Sequence, residues 1–169
     1  MDDLRHELKR CQPFASVAQE AIVSLARTGD QLDNQLSQFF RPRELTFSQY
    51  NLLRILDMED RPLTCGEIGD RLVQIVPAVT ALVDRLLRRD LVTRERSEED
   101  RRTVYVAITD AGRKLVRPAS EELREFEDNL INGLKQKEQK ELIRLLQLVR
   151  ASMSCAAKQR AASGNRQSN

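Results

Sequence analysis

Four arginines, Arg94, Arg96, Arg101 and Arg102, fall within nine residues of this chain, interleaved with Glu95, Glu98, Glu99 and Asp100. A guanidinium group is permanently charged and offers its N–H donors in a planar fork, the geometry that fits a phosphate or a base edge. Asp100, two residues before Arg102, has the spacing of an orienting partner, and a buttressed guanidinium loses less rotamer freedom when it binds. No other constellation competes. There is one histidine, His6, and the three cysteines (Cys11, Cys65, Cys155) are far apart and in no paired spacing. With no nucleophile–base pair, phosphate loop or metal-ligand set, no catalytic residue, cofactor or metal is expected.

The elements that must hold these arginines are legible on either side. A β-prone run ends in Arg94-Glu95-Arg96, and Ser97 to Arg102 form a polar turn. An alternating second strand, Thr103-Val104-Tyr105-Val106-Ala107-Ile108, then leads to Thr109, a helix N-cap. The result is a hairpin with arginines at its tip. It suits a DNA groove better than a substrate pocket.

Composition sets the frame. The 169 residues include 28 Lys+Arg against 26 Asp+Glu, a net charge of +2, so any nucleic-acid surface must arise from local arrangement. Apolar residues make up 40% but aromatics only 4%, which favours aliphatic helix packing over a β-sandwich. Without a signal peptide or long apolar run, a cytoplasmic setting and no membrane partner are expected.

Apolar positions at three/four spacing from Phe14 to Phe39 predict a long amphipathic helix, with a disturbance at Thr28-Gly29-Asp30, ended by Arg41-Pro42-Arg43. Thr46-Phe47-Ser48-Gln49 and Thr64-Cys65-Gly66-Glu67 both have capping-box spacing and open two further helices. Arg61-Pro62-Leu63 between them reads as an extended link or minimal strand. Pro77 suits the first turn of a fourth helix, with Val79, Leu82, Val83 and Leu86 as its buried stripe. After the hairpin come two helices, about 110–134 with a kink or restart at Pro118, and about 137–157. The last carries an apolar band from Leu142 to Met153, wider than a monomer's surface helix needs.

Short helix, tight turn, second helix and arginine-tipped hairpin form the order of a winged helix-turn-helix. The fold class is therefore mainly α with a small β-hairpin wing. The expected organisation is an N-terminal dimerisation helix (1–44), a winged DNA-binding domain (45–112), C-terminal dimerisation helices (113–160) and a disordered tail (161–169). The fourth helix would enter the major groove, and the wing arginines the narrower minor groove beside it.

Three segments together carry a specific resemblance: Leu63-Thr64-x-Gly66-Glu67-Ile68, then Val79-Thr80-x-Leu82-Val83-Asp84-Arg85-Leu86, then Asp100-Arg101-Arg102 followed after five residues by Ile108-Thr109-x-x-Gly112. Over about 45–115 the chain resembles the MarR family of bacterial transcriptional regulators. The resemblance implies a homodimer with interlocking first and last helices, whose two wings straddle a pseudo-palindromic DNA operator, most often as a repressor. The apolar stripes at the two chain ends supply a reason to dimerise. The DNA-facing set expected is Gln74, Pro77, Ala78, Thr80, Ala81, Arg85, Arg96, Asp100, Arg101 and Arg102. For Arg85 the alternative is pairing with Asp84 or Glu95, and for Arg96 a plain strand-surface charge.

The chain departs from the family where the recognition helix begins. Hydroxyl residues are common there, whereas this sequence reads Ile75-Val76-Pro77-Ala78. Ala78 and Ala81 cannot hydrogen-bond a base, which shifts readout toward Gln74, Thr80, thymine methyl contacts and the wing. The resemblance also implies an effector pocket for aromatic or phenolic acids. Arg41, Arg43, Phe47 and Tyr50 lie near the hinge with suitable cationic and aromatic chemistry, hinge packing being the alternative. A peroxide-sensing branch of the family carries a cysteine in its first helix, but Cys11 lies farther from Leu45-Thr46-x-x-Gln49 than that cysteine does. Redox sensing and a winged protein-interaction module that does not read DNA remain as alternatives.

Overall fold

Local capping decides where most of these helices start. In the computed structural model, which describes residues 4–74, 78–96, 100 and 103–164 (the last five by backbone alone), a short helix α1 (Leu4–Glu7) precedes α2 (Val17–Phe40). Ser16 caps α2 by accepting the Gln19 backbone N–H at 3.1 Å. The helix runs unbroken through Thr28-Gly29-Asp30, where a disturbance was expected. Gly29 faces open space, so its helix-propensity penalty of about 1 kcal/mol is all the other 23 residues of the 24-residue element must carry.

A single 3₁₀ turn at Arg41–Arg43 ends with Glu44 in the left-handed region, φ 52°. Helix α3 (Phe47–Glu59) and α4 (Cys65–Arg71) both begin with complete capping boxes. In α4 the Thr64 backbone N–H donates to Glu67 at 2.8 Å, and Glu67 N–H returns a bond to the Thr64 hydroxyl at 3.2 Å. The Thr64 backbone bond, then the Arg61 guanidinium and the Thr64 hydroxyl, pull the Glu67 carboxyl down to about 2.

The strand β1 (Leu63–Thr64) pairs antiparallel with β3 (Val104–Ile108), which pairs antiparallel with β2 (Val92–Arg96), giving the order β1-β3-β2. Helix α5 (Val79–Leu87) precedes β2 and packs on it, and α3 lies against α4, α5 and β3. Tyr50, Leu52, Leu53, Leu56, Leu63, Ile68, Val83, Leu86 and Val106 form the buried centre.

Helix α6 (Asp110–Ile131) is one element through Pro118 rather than two. Thr109 starts it: the hydroxyl accepts the Gly112 N–H at 3.0 Å and donates to the Asp90 carbonyl at 2.7 Å. Farther along, Arg113 and Arg117 converge on Asp57 of α3, at 2.7 and 3.0 Å. Burial pushes the Asp57 carboxyl up, but hydrogen bonds from the two guanidinium groups outweigh it and hold the group below its usual value.

Residues 1–119 form one compact unit and residues 120–169 a second. The second holds the end of α6 and α7 (Gln136–Gly164), which runs through 161–164, where a disordered tail was expected to begin. Alanines at 156, 157, 161 and 162 are strong helix formers and prolong it. Among the described residues no helix is long and apolar enough to cross a membrane.

Candidate nucleic-acid interface

Helix α5 buries Leu82, Val83 and Leu86 along one stripe and leaves Ala78, Thr80, Ala81, Arg85 and Arg88 exposed. Ala78 occupies its N-cap and, as an alanine, makes no side-chain cap bond. The leading backbone N–H groups carry the positive end of the helix dipole with no acceptor from the N-cap side chain. Arg94 of β2 reaches back to Asp84 of α5 at 2.7 Å, tying that helix to the root of the wing. That pairing answers one open alternative, because Asp84 takes Arg94 and not Arg85. Arg85 and Arg96 are exposed and make no hydrogen bond or ion pair among the described residues.

The wing is a ladder in continuous register from Val92↔Ile108 to Arg96↔Val104, so Arg96 stands at its outer end. Asp100 is exposed, and its carboxylate accepts from the Thr103 hydroxyl at 3.0 Å while its carbonyl accepts the Thr103 N–H at 2.9 Å. Pro77, Arg101 and Arg102 lie outside the described residues. The expected buttress between Asp100 and Arg102 thus falls beyond them as well.

Gln74 occupies a place the sequence does not reveal. Its side-chain oxygen accepts from the Ser48 hydroxyl of α3, and its Nε2 donates to Asp33 Oδ1 of α2 at 3.3 Å. Arg89, just past α5, donates to the Arg43 carbonyl at 3.3 Å and to the Glu44 carbonyl. Asp33, Ser48 and Arg89 were not foreseen as part of the site. No local signal marks them, since their partners stand 41, 26 and 45 residues away.

Of the four residues expected at an effector pocket, Arg43, Phe47 and Tyr50 contact the Phe39–Phe40 pair. Tyr50 is 1% exposed and stacks on Phe40 with ring centroids 4.6 Å apart. Phe47 is half-buried against the same ring, 6.0 Å away. Arg43 donates to the Phe39 carbonyl at 3.0 Å and lies 4.8 Å from the centre of its ring, while Arg41 is exposed. A depression of about 90 Å³ lies elsewhere, lined by Leu56, Asp60, Arg61, Pro62, Ala107, Ile108 and Arg113. Cys11 and Cys155 are exposed free thiols, and Cys65 is half-buried at the start of α4.

The MarR family model matches residues 44–103 of the chain. The HTH-type transcriptional regulator MgrA of Staphylococcus aureus is 34% identical over 112 residues, 65% of this chain and 73% of that protein. A crystal structure of a MarR transcription factor from Planctomyces limnophilus is 39% identical, covering 80% of this chain and 99% of that one, with a TM-score of 0.61. A mutant E. coli MarR complexed with operator DNA shares the fold at 21% identity and a TM-score of 0.67, covering 88% of this chain and 99% of that one.

Proposed function

The chain belongs to the MarR family of transcription regulators, and from that membership we propose that it binds a pseudo-palindromic DNA operator as a cytoplasmic homodimer and represses transcription until an effector or stress signal releases it. It is a winged-helix regulator and not an enzyme. In this reading α5 lies in the major groove, presenting Ala78, Thr80, Ala81 and Arg85, with Pro77 and Gln74 at its approach. Arg96, Arg101 and Arg102 take the wing into the neighbouring minor groove, and Asp100 shapes the wing tip.

The observation that carries the proposal is two exposed guanidinium groups with no partner among the described residues, Arg85 on the outer face of α5 and Arg96 at the end of the wing ladder. Their neighbour Arg94 is by contrast neutralised by Asp84. Effector chemistry is proposed as an aromatic or phenolic acid at the hinge of Arg41, Arg43, Phe47 and Tyr50. Such a ligand must displace existing contacts, because Tyr50 and Arg43 are already engaged within the protein. Release would then require that the ligand favour the lobe spacing that does not fit DNA.

Binding to the DNA upstream of its own gene, titrated at several salt concentrations, tests the proposal. Specific binding should weaken steeply with salt, and Arg96→Ala and Arg102→Ala should each flatten the log–log slope by about one. Exposed Ala78 and Ala81, which offer no donors, favour a second reading in which the winged fold docks onto protein. Absent or salt-insensitive binding to every duplex would decide for it.

A further inference from the structure

Side chains on either side of α5, Gln74 ahead of it and Arg89 behind it, are tied to the region where α2 meets α3. Ahead of the helix, four residues before Ala78, the Gln74 side chain bridges Ser48 of α3 and Asp33 of α2. Behind it, Arg89 forks onto the carbonyls of Arg43 and Glu44, with the Glu44 carboxylate 3.8 Å away. Ala78 itself provides no side-chain cap at the start of α5.

We propose that Asp33, Gln74 and Arg89 are positioning residues, which set the pitch of α5 against α2 through two side-chain clasps. This rests on the DNA-reading proposal above and revises one part of it: Gln74 acts through the bridge and does not touch a base. The chemistry of the amide favours the bridge over a base contact. Bidentate reading of adenine needs both the oxygen and an N–H of the glutamine, and the bridge already engages the oxygen and one N–H. A bridged amide keeps only its second lone pair and second N–H for a base, in a plane held between α2 and α3, so turning it onto a base edge would break the bridge.

Charge makes the proposal easy to separate from its rival. Asp33 is an anion, so deleting it should on electrostatic grounds strengthen binding to a polyanion. The clasp predicts the opposite sign. Asp33→Asn keeps an acceptor oxygen and so keeps the bridge. Arg89→Lys keeps the charge and loses the fork onto two carbonyls.

The probe is a fluorescein-labelled duplex enriched by the wild-type protein from a random-sequence pool, read by anisotropy at fixed salt. Asp33→Ala and Gln74→Ala should each weaken binding roughly tenfold, and the double variant should be no weaker than either. Arg89→Lys should also weaken binding, Asp33→Asn should bind at least as tightly as wild type, and Gln74→Ala should enrich the same sequence. Asp33→Ala that binds as tightly as wild type or tighter, or Gln74→Ala that relaxes preference at one base pair, overturns the clasp. If wild type enriches no duplex, the DNA reading itself fails. Amide hydrogen exchange over residues 79–87 then judges the clasp alone. Faster exchange there in Asp33→Ala and Gln74→Ala upholds it, and unchanged exchange sinks it.

Discussion

Gly112 is a position where one methyl group would be too many. A Cβ there would run into the Leu91 carbonyl oxygen and stand 2.7 Å from Ile108 Cγ1. The same spot is where the Thr109 N–H donates to Leu91 at 3.1 Å and Asp90 turns the chain with φ 53°. A helical glycine replaced by alanine normally gains about 1 kcal/mol. Here Gly112→Ala should instead lower unfolding free energy by about 3 kcal/mol, read from denaturant midpoints, and a stabilised variant would refute the crowding. Thr109-x-x-Gly112 was visible as a motif, and so was the Thr109 cap. The reason for the glycine was not, because the carbonyl it makes room for belongs to a residue 21 positions earlier.

The helix starts show which signals travel well from sequence to structure. Thr46-x-x-Gln49 and Thr64-x-x-Glu67 are four-residue statements whose partners lie inside the motif, and both capping boxes form. The Gln74 bridge depends on two other helices and left no trace in the local pattern. At Gly29, propensity pointed to a disturbance that the surrounding helix overrides. Of the candidate site, the exposed face of α5 and the two strands of the wing were legible. The engagement of Arg94, Gln74 and Arg43 within the protein was not.

Glu67 gives the α4 start a pH signature. Its folded-state value of about 2 lies below the ordinary 4.5, so the ionised carboxylate stabilises the native chain above pH 4.5 and that contribution is lost as pH falls toward 2. Glu67→Gln keeps an acceptor for the Thr64 N–H and removes the titration. Thermal melts should therefore show the variant below wild type at neutral pH and the gap closing on acidification through that window. A gap that persists at the acid end would assign the effect to packing instead.

At the scale of the molecule, two helices leave apolar side chains in water. On α2, Val17, Ile22, Leu25 and Leu32 are exposed, and on α7, Leu142, Ile143, Leu145, Leu148 and Met153. Exposed apolar side chains on each helix taken by itself suit an interaction surface, and a second copy of the chain is the proposed cover. Leu148→Glu changes a side chain that is 54% exposed in the single chain, so helix content should hold while sedimentation shifts from dimer toward monomer. A wild-type protein that sediments as a monomer would remove the basis for the proposal. The wing's root carries a different consequence, one of evolvability. Its strands are held in register from Val92↔Ile108 to Arg96↔Val104, and its base is locked by the Thr109 hydroxyl on Asp90. Each doubling of a closed loop adds only about 0.6 kcal/mol of entropy, so insertions beyond Arg96 need not disturb the lock. Lineages built on this frame could therefore diversify in wing length and tip sequence, and so in the DNA they prefer, while the threonine and glycine beneath stay fixed.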